Sequence, residues 1–96
     1  MTMLHAETDN GILTFDGTVV EYFGRNGSND RYHARYIAKI ALQTDRKGRA
    51  QIQIQMELTG GRVTSYVKPE HMGRAEELVS AVQNAMASYR AGGEGD

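Results

Sequence analysis

Apolar residues along this chain first alternate with polar ones and then switch to a helical spacing. The run Gln51-Ile52-Gln53-Ile54-Gln55-Met56-Glu57-Leu58 keeps strict period two, the mark of a strand with one buried face. Upstream, Leu13, Phe15, Val20 and Tyr22 share one face of a hairpin, with Ile12, Thr14, Val19 and Glu21 on the other. Its turn is signalled by Asp16-Gly17, a pair suited to a two-residue loop in which both residues have positive φ. That loop sets Phe15 opposite Thr18, Leu13 opposite Val20 and Gly11 opposite Tyr22. A second hairpin turns at Asp45-Arg46-Lys47-Gly48-Arg49. A three-residue loop, with Gly48 left-handed, pairs Leu42 with Ile52 and Ile40 with Ile54; a loop one residue longer sends the apolar faces to opposite sides. Gly60-Gly61 predicts a third turn, with Leu58 facing Val63, Met56 facing Ser65 and Ile54 facing Val67.

Pro69 stops the last strand because it has no N–H for the ladder. The period then becomes 3.6, and Ala75, Leu78, Val79, Val82, Met86 and Tyr89 form one stripe of a helix over 74–89. Glu76 and Glu77 near its start and Arg90 at its end suit the helix dipole. The polar, glycine-rich stretch 24–30 predicts a loop. Five strands are fixed by these patterns, with 3–8 or 31–34 as candidate additions. The fold class is α+β: a bent antiparallel sheet or partly open barrel of successive hairpins, capped by one C-terminal helix. Ile40, Leu42, Ile52, Ile54, Met56, Leu58, Val67, Leu78, Val82 and Met86 are expected to share the core. The chain divides into a single domain, 1–90, and a tail, 91–96.

Composition narrows the function more than the fold. The 96 residues include no cysteine, which removes disulfides, thiolate metal sites and a cysteine nucleophile. No signal-peptide pattern and no run of about 20 apolar residues is present, so the expected location is cytoplasmic. The net charge of −1 argues against a general nucleic-acid binder. The charge is nevertheless uneven. Residues 1–24 hold four acids and no Lys or Arg, whereas 25–49 hold seven bases against Asp30 and Asp45.

The order of these signals carries a resemblance. Gly11-Ile12-Leu13-Thr14-Phe15-Asp16-Gly17 leads into a strand, and a basic stretch runs into a strand bearing Ile37, Ile40 and Leu42. Gly48, an alternating strand, Gly60-Gly61, a Val-rich strand and the helical Glu76-Glu77-Leu78-Val79 with Val82 follow. This pattern, over about residues 11–87, resembles the bacterial pleckstrin-homology-like domains of short actinobacterial-type proteins. The resemblance implies a seven-stranded bent sheet plugged by the helix, and a binding or assembly module, some members being homo-oligomers. The basic motif that eukaryotic relatives place in the first hairpin to hold phosphoinositides is missing, since the turn here is Asp16-Gly17 in acidic surroundings.

No catalytic set can be assembled, and an enzyme is not expected. His5, His33 and His71 lack metal-ligand spacing and read as exposed loop residues. Ser65 has no nucleophile-elbow context, and Glu76 and Glu77, being adjacent, diverge on a helix. No cofactor or metal is expected. Two surface features remain. The outward strand face with Gln51, Gln53, Gln55, Thr64 and Tyr66 is rich in amides and poor in charge, whereas exposed strands ordinarily carry charge against unwanted pairing. It is the candidate surface for a protein partner or a second copy, through Gln51, Gln53, Gln55 and Tyr66. The basic turn with Arg46, Lys47 and Arg49, joined by Arg35, is the alternative: an anion site for an anionic lipid surface or, less in keeping with the net charge, nucleic acid. Arg31, Tyr32, His33, Arg35 and Tyr36 also interleave rings with charge, a pattern that strand alternation explains equally well.

Overall fold

The computed structural model describes residues 3–92, so the expected tail falls outside the described residues from 93 onward. Seven antiparallel strands form two sheets. The first sheet is β1 (Leu4–Thr8), β2 (Gly11–Phe15), β3 (Val19–Gly24) and β4 (Asn29–His33), in chain order. A 3-10 turn, Ala34–Tyr36, leads to the second: β5 (Ile37–Thr44), β6 (Ala50–Met56) and β7 (Arg62–Val67). A second 3-10 turn, Pro69–His71, feeds the helix α1 (Met72–Gly92).

Both candidate additions at 3–8 and 31–34 are therefore strand in large part, and the loop expected over 24–30 is shorter. Gly24 ends β3, Asn29 and Asp30 begin β4, and the reversal is closed by hydrogen bonds from Gly24 N–H to Ser28 O (2.8 Å) and from Gly27 N–H to Gly24 O (3.0 Å). Tyr22 pairs with Asp30 and Phe23 with Asn29, so the polar residues are tolerated because their side chains stay in solvent.

The first hairpin keeps the expected faces on a different register. Leu13 pairs with Tyr22 and Phe15 with Val20, two residues along β3 from the expected pairing. The turn is built on Asp16 as an acceptor: its Oδ1 takes the N–H groups of Thr18 (2.8 Å) and Val19 (2.8 Å). Gly17 alone takes positive φ, 102°, so the loop is centred on Gly17-Thr18 and not on Asp16-Gly17. An even slip preserves the faces, and Leu13, Phe15 and Val20 are fully buried.

The second hairpin has the expected register, Leu42 opposite Ile52 and Ile40 opposite Ile54, with Gly48 at φ 81°. A bulge between Ile37 and Lys39 reconciles the three-residue spacing of Ile37 and Ile40 with burial of both. The third hairpin departs most. Ile54 pairs with Val63, Ile52 with Ser65 and Ala50 with Val67, four residues along β7 from the expected register. β6 ends at Met56, where the chain enters a turn: Glu57 N–H bonds Tyr36 O (2.8 Å) beside the Ile37–Met56 pair, and Met56 N–H bonds Gly61 O (2.8 Å) across the turn. Leu58, expected in the core, is 80% exposed in that turn.

α1 begins two residues earlier than its apolar stripe implied, since Pro69 at the head of the 3-10 turn starts the helical chain direction. Glu76 and Glu77 consequently lie beyond the first turn, where the dipole has little hold on them. The stripe itself is as expected: Ala75, Leu78, Val79, Val82 and Met86 are buried, and half-buried Tyr89 packs at its end. It lies chiefly on β1 and β5 and joins the two sheets' inner faces into one core with Leu13, Phe15, Ile37, Ile52 and Ile54. Leu42 and Met56 pack at its margin, half-buried. No described helix is long and apolar enough to cross a membrane.

Candidate functional site

The second sheet's outer face is a grid of nine positions set by two ladders. Across β5, β6 and β7 the rows read Gln43–Gln51–Tyr66, Ala41–Gln53–Thr64 and Lys39–Gln55–Arg62. No position is acidic, and two are cations. Gln51, Gln53, Gln55 and Tyr66 are thus brought onto one face, half-buried among one another. Lys39 and Arg62 complete it, and Arg62 was not legible because the expected register put Tyr66 opposite Gln55 and Thr64 opposite Glu57. The four-residue slip brings Arg62 in opposite Gln55, while Glu57 lies in the turn beyond the paired positions.

Both edges of this sheet are occupied. On β5, Gln83 Nε2 donates to Ile40 O (2.9 Å) and Arg90 Nη2 to Ala38 O (3.1 Å), both reaching from α1. On β7, Tyr66 O accepts from Asp9 N–H (2.9 Å) in the β1–β2 turn. Edge-to-edge pairing is blocked at these points, which leaves the face.

At one corner Arg49 lies over the Tyr66 ring, 4.5 Å from its centroid. Arg49 Nε also donates to Asp45 Oδ2 (3.0 Å), while Asp45 Oδ1 accepts from Lys47 N–H (2.9 Å) and Arg49 N–H (2.8 Å). Hydrogen bonds from the Arg49 and Lys47 backbone and the Arg49 side chain hold the Asp45 carboxyl below its usual range. Asp45 therefore pairs with Arg49 from within the turn, and Arg46 and Lys47 of the basic trio extend free of an ion pair among the described residues. Arg35 is not brought to them. It sits before β5, whose eight residues span about 23 Å to the turn, and its guanidinium lies 5.5 Å from the centroid of the Tyr89 ring.

The histidines are spread as well. His5 is exposed in β1 and His33 closes β4, both in strands and not in loops. His33 Nδ1 accepts from Arg35 N–H (3.0 Å), and its ring leans on Tyr36 and Tyr89 near the end of α1. His71 lies before the start of α1, with Nε2 3.1 Å from Glu7 Oε2. No group of three or more potential metal ligands occurs among the described residues. Ser65, inward opposite Ile52, is buried in the core wall.

Two clefts adjoin the grid. One, of about 190 Å³, is lined by Lys39, Gln53, Gln55 and Arg62. The other, of about 440 Å³, opens at the sheet's end over Ala50, Val67, Pro69 and Met72, with Tyr66 and Arg49 on its wall.

Comparison of the chain with family models, with curated proteins and with solved structures finds no match. The arrangement of seven antiparallel strands in two sheets with a C-terminal helix is compatible with a pleckstrin-homology-like topology.

Proposed function

We propose that this chain is a non-enzymatic protein-interaction module of pleckstrin-homology-like type, which docks an acidic protein surface on the outer face of β5–β7. The observation that carries the reading is the composition of the grid: amides, a tyrosine and two cations in register, with no acid. Amides exchange water for a partner's groups at lower cost than full charges do, and Lys39 and Arg62 favour a partner of opposite sign. A second copy fits less well, because an isologous contact lays a face of charge +2 on its own equal. The competing reading, an anion-binding module at the basic turn for a lipid surface or nucleic acid, retains Arg46 and Lys47, with Arg49 already engaged by Asp45 and Tyr66.

The test is an amide-resolved NMR titration of the whole chain with poly-L-glutamate at low and high salt. Shifts should concentrate on β5–β7, weaken with salt, and vanish in the Lys39→Glu/Arg62→Glu variant. Shifts confined to 46–49, or equal response to anionic vesicles at that turn, would replace this reading with the anion-binding one. Sedimentation of the free protein as a stable oligomer, dissociated by Gln53→Lys/Gln55→Lys, would instead favour self-association.

A further inference from the structure

Resting on that docking reading, we infer that the cleft of Lys39, Gln53, Gln55 and Arg62 is a phosphate-monoester site, which seats a phosphorylated side chain of the protein partner. Its lining holds two cations, two side-chain amides and no acid. Lys supplies an ammonium, Arg a planar fork of N–H groups, and each Gln an amide NH₂. Lys39 and Arg62 flank Gln55 in one cross-strand row. Neighbouring strands lie about 4.8 Å apart, so the two backbones stand roughly 10 Å from each other with the amide between them. Both side chains are long enough to converge on one group above Gln55.

Neither cation has an acidic partner among the described residues. Among the described residues the ion pairs are Arg31–Glu21, Arg49–Asp45 and His71–Glu7. Glu57, beyond the end of β6, lies in the turn, and its side chain makes no ion pair among the described residues. A single carboxylate would leave one of the two charges unmatched. A phosphate monoester carries about −1.5 to −2 at neutral pH on three acceptor oxygens, which matches two cations and leaves an oxygen for the amides. Arg62 can address it through two parallel hydrogen bonds and Lys39 as a point charge. The cleft, about 190 Å³, accommodates the group without displacing the sheet.

The experiment titrates the whole chain with the peptide acetyl-Gly-Gly-phosphoserine-Gly-Gly-amide and with its Glu and Ser counterparts. The readouts are the side-chain amides of Gln53 and Gln55 and the Arg62 Nε–H. Inorganic phosphate and glycerol phosphate form a second arm. The phosphoserine peptide should bind at least about tenfold more tightly than the Glu peptide, as the stronger charge-assisted acceptor, and more tightly than either free phosphate. Lys39→Gln and Arg62→Gln should each lose about tenfold, and Arg62→Lys an intermediate amount. Both positions are exposed, and an unchanged melting transition checks that the variants fold.

Equal binding of the phosphoserine and Glu peptides overturns the inference. So do shifts away from the four residues, or variants that bind as the parent does. Free phosphate binding as tightly as the peptide overturns the protein source. Should poly-L-glutamate still map to β5–β7 in those cases, the docking reading stands without the phosphate site. If poly-L-glutamate leaves the face unmoved as well, both fall.

Discussion

The outer faces of the two sheets rest on the same kind of antiparallel ladder and carry different chemistry. On the first sheet the rows read His5–Thr14–Glu21–Arg31 and Glu7–Ile12–Phe23–Asn29. Both signs of charge are present, Glu21 takes a hydrogen bond from Asn29 (3.0 Å) and lies 3.9 Å from Arg31, and Ile12 with Phe23 makes an exposed apolar pair. Its open edge, β4, is exposed and carries Asp30 and Arg31, charges that discourage strand addition. That face satisfies itself. The second sheet has its edges bonded by α1 and the β1–β2 turn, yet its face leaves Lys39 and Arg62 without an ion pair among the described residues and three glutamines in a line. A face that balances its own charges needs nothing further, whereas one with donors in excess gains from acceptors brought by a partner.

The inner faces show no such asymmetry, and the largest effects test that symmetry. Leu13 of the first sheet, Ile54 of the second and Leu78 of α1 are each fully buried in the same core. Truncation of any one to Ala should cost about 2–5 kcal/mol through lost burial and the cavity left behind. Urea denaturation of the three variants should show a single transition in each, at similarly lowered midpoints. A Leu13→Ala variant that left the second sheet's signals intact while the first melted would show two separable cores.

Next in size is the effect on binding. Lys39→Glu/Arg62→Glu should abolish the poly-L-glutamate response. Reversing the first sheet's pair by Glu21→Arg/Arg31→Glu should leave it within about twofold, since the pair's net charge is unchanged and surface pairs contribute little to stability. Equal loss from both double variants, one of which keeps the net charge, would show that the response is not confined to the second face and erase the distinction between the faces.

How far this comparison was legible in the sequence depended on which pairings the residues could report. The second hairpin was legible because Leu42, Ile40, Ile52 and Ile54 bury properly in one register only, and Lys39 opposite Gln55 follows from it. The first and third hairpins slipped by even numbers of residues, and an even slip leaves the hydrophobic pattern unchanged. The core therefore came out nearly right while cross-strand neighbours did not. Arg62 belongs to that second kind of information: only the observed pairing places it beside Gln55. Charge composition alone groups Arg35 with the basic turn, and the length of β5 separates them.

A smaller effect concerns pH, and it falls on the two turns that use an aspartate as their centre. Hydrogen bonds from the Val19 and Thr18 backbone hold the Asp16 carboxyl low, and those from Arg49 and Lys47 do so for Asp45. A carboxyl whose pKa is lower folded than unfolded contributes stability above the unfolded value, near 3.8 here, and loses it as pH falls through the folded value. Asp16→Asn and Asp45→Asn should each flatten the fall in stability below about pH 4, seen as a shallower change of urea midpoint with pH. A slope identical to the parent's in both variants would place acid sensitivity outside these two turns.

The smallest expected effect bears most directly on why the second face is free of acid. Leu58 continues the alternation of Ile52, Ile54 and Met56, and a register that buried it would place Glu57 on the outer face, opposite Thr64 and close to the two cations. With β6 ending at Met56, Leu58 is instead 80% exposed and Glu57 lies in the turn. Leu58→Ser should therefore change stability by no more than about 0.5 kcal/mol, the ordinary range for a surface position. Ile54→Ser, on the same strand and in the same phase, should cost several times that, because it removes a buried side chain and buries a hydroxyl. Paired urea melts measure the contrast. If Leu58→Ser destabilised as much as Ile54→Ser, the longer register would hold, Glu57 would stand among the donors, and the charge difference between the two faces would largely disappear. A neutral Leu58→Ser fixes the turn where β6 stops, and with it the acid-free face on which the proposed docking rests.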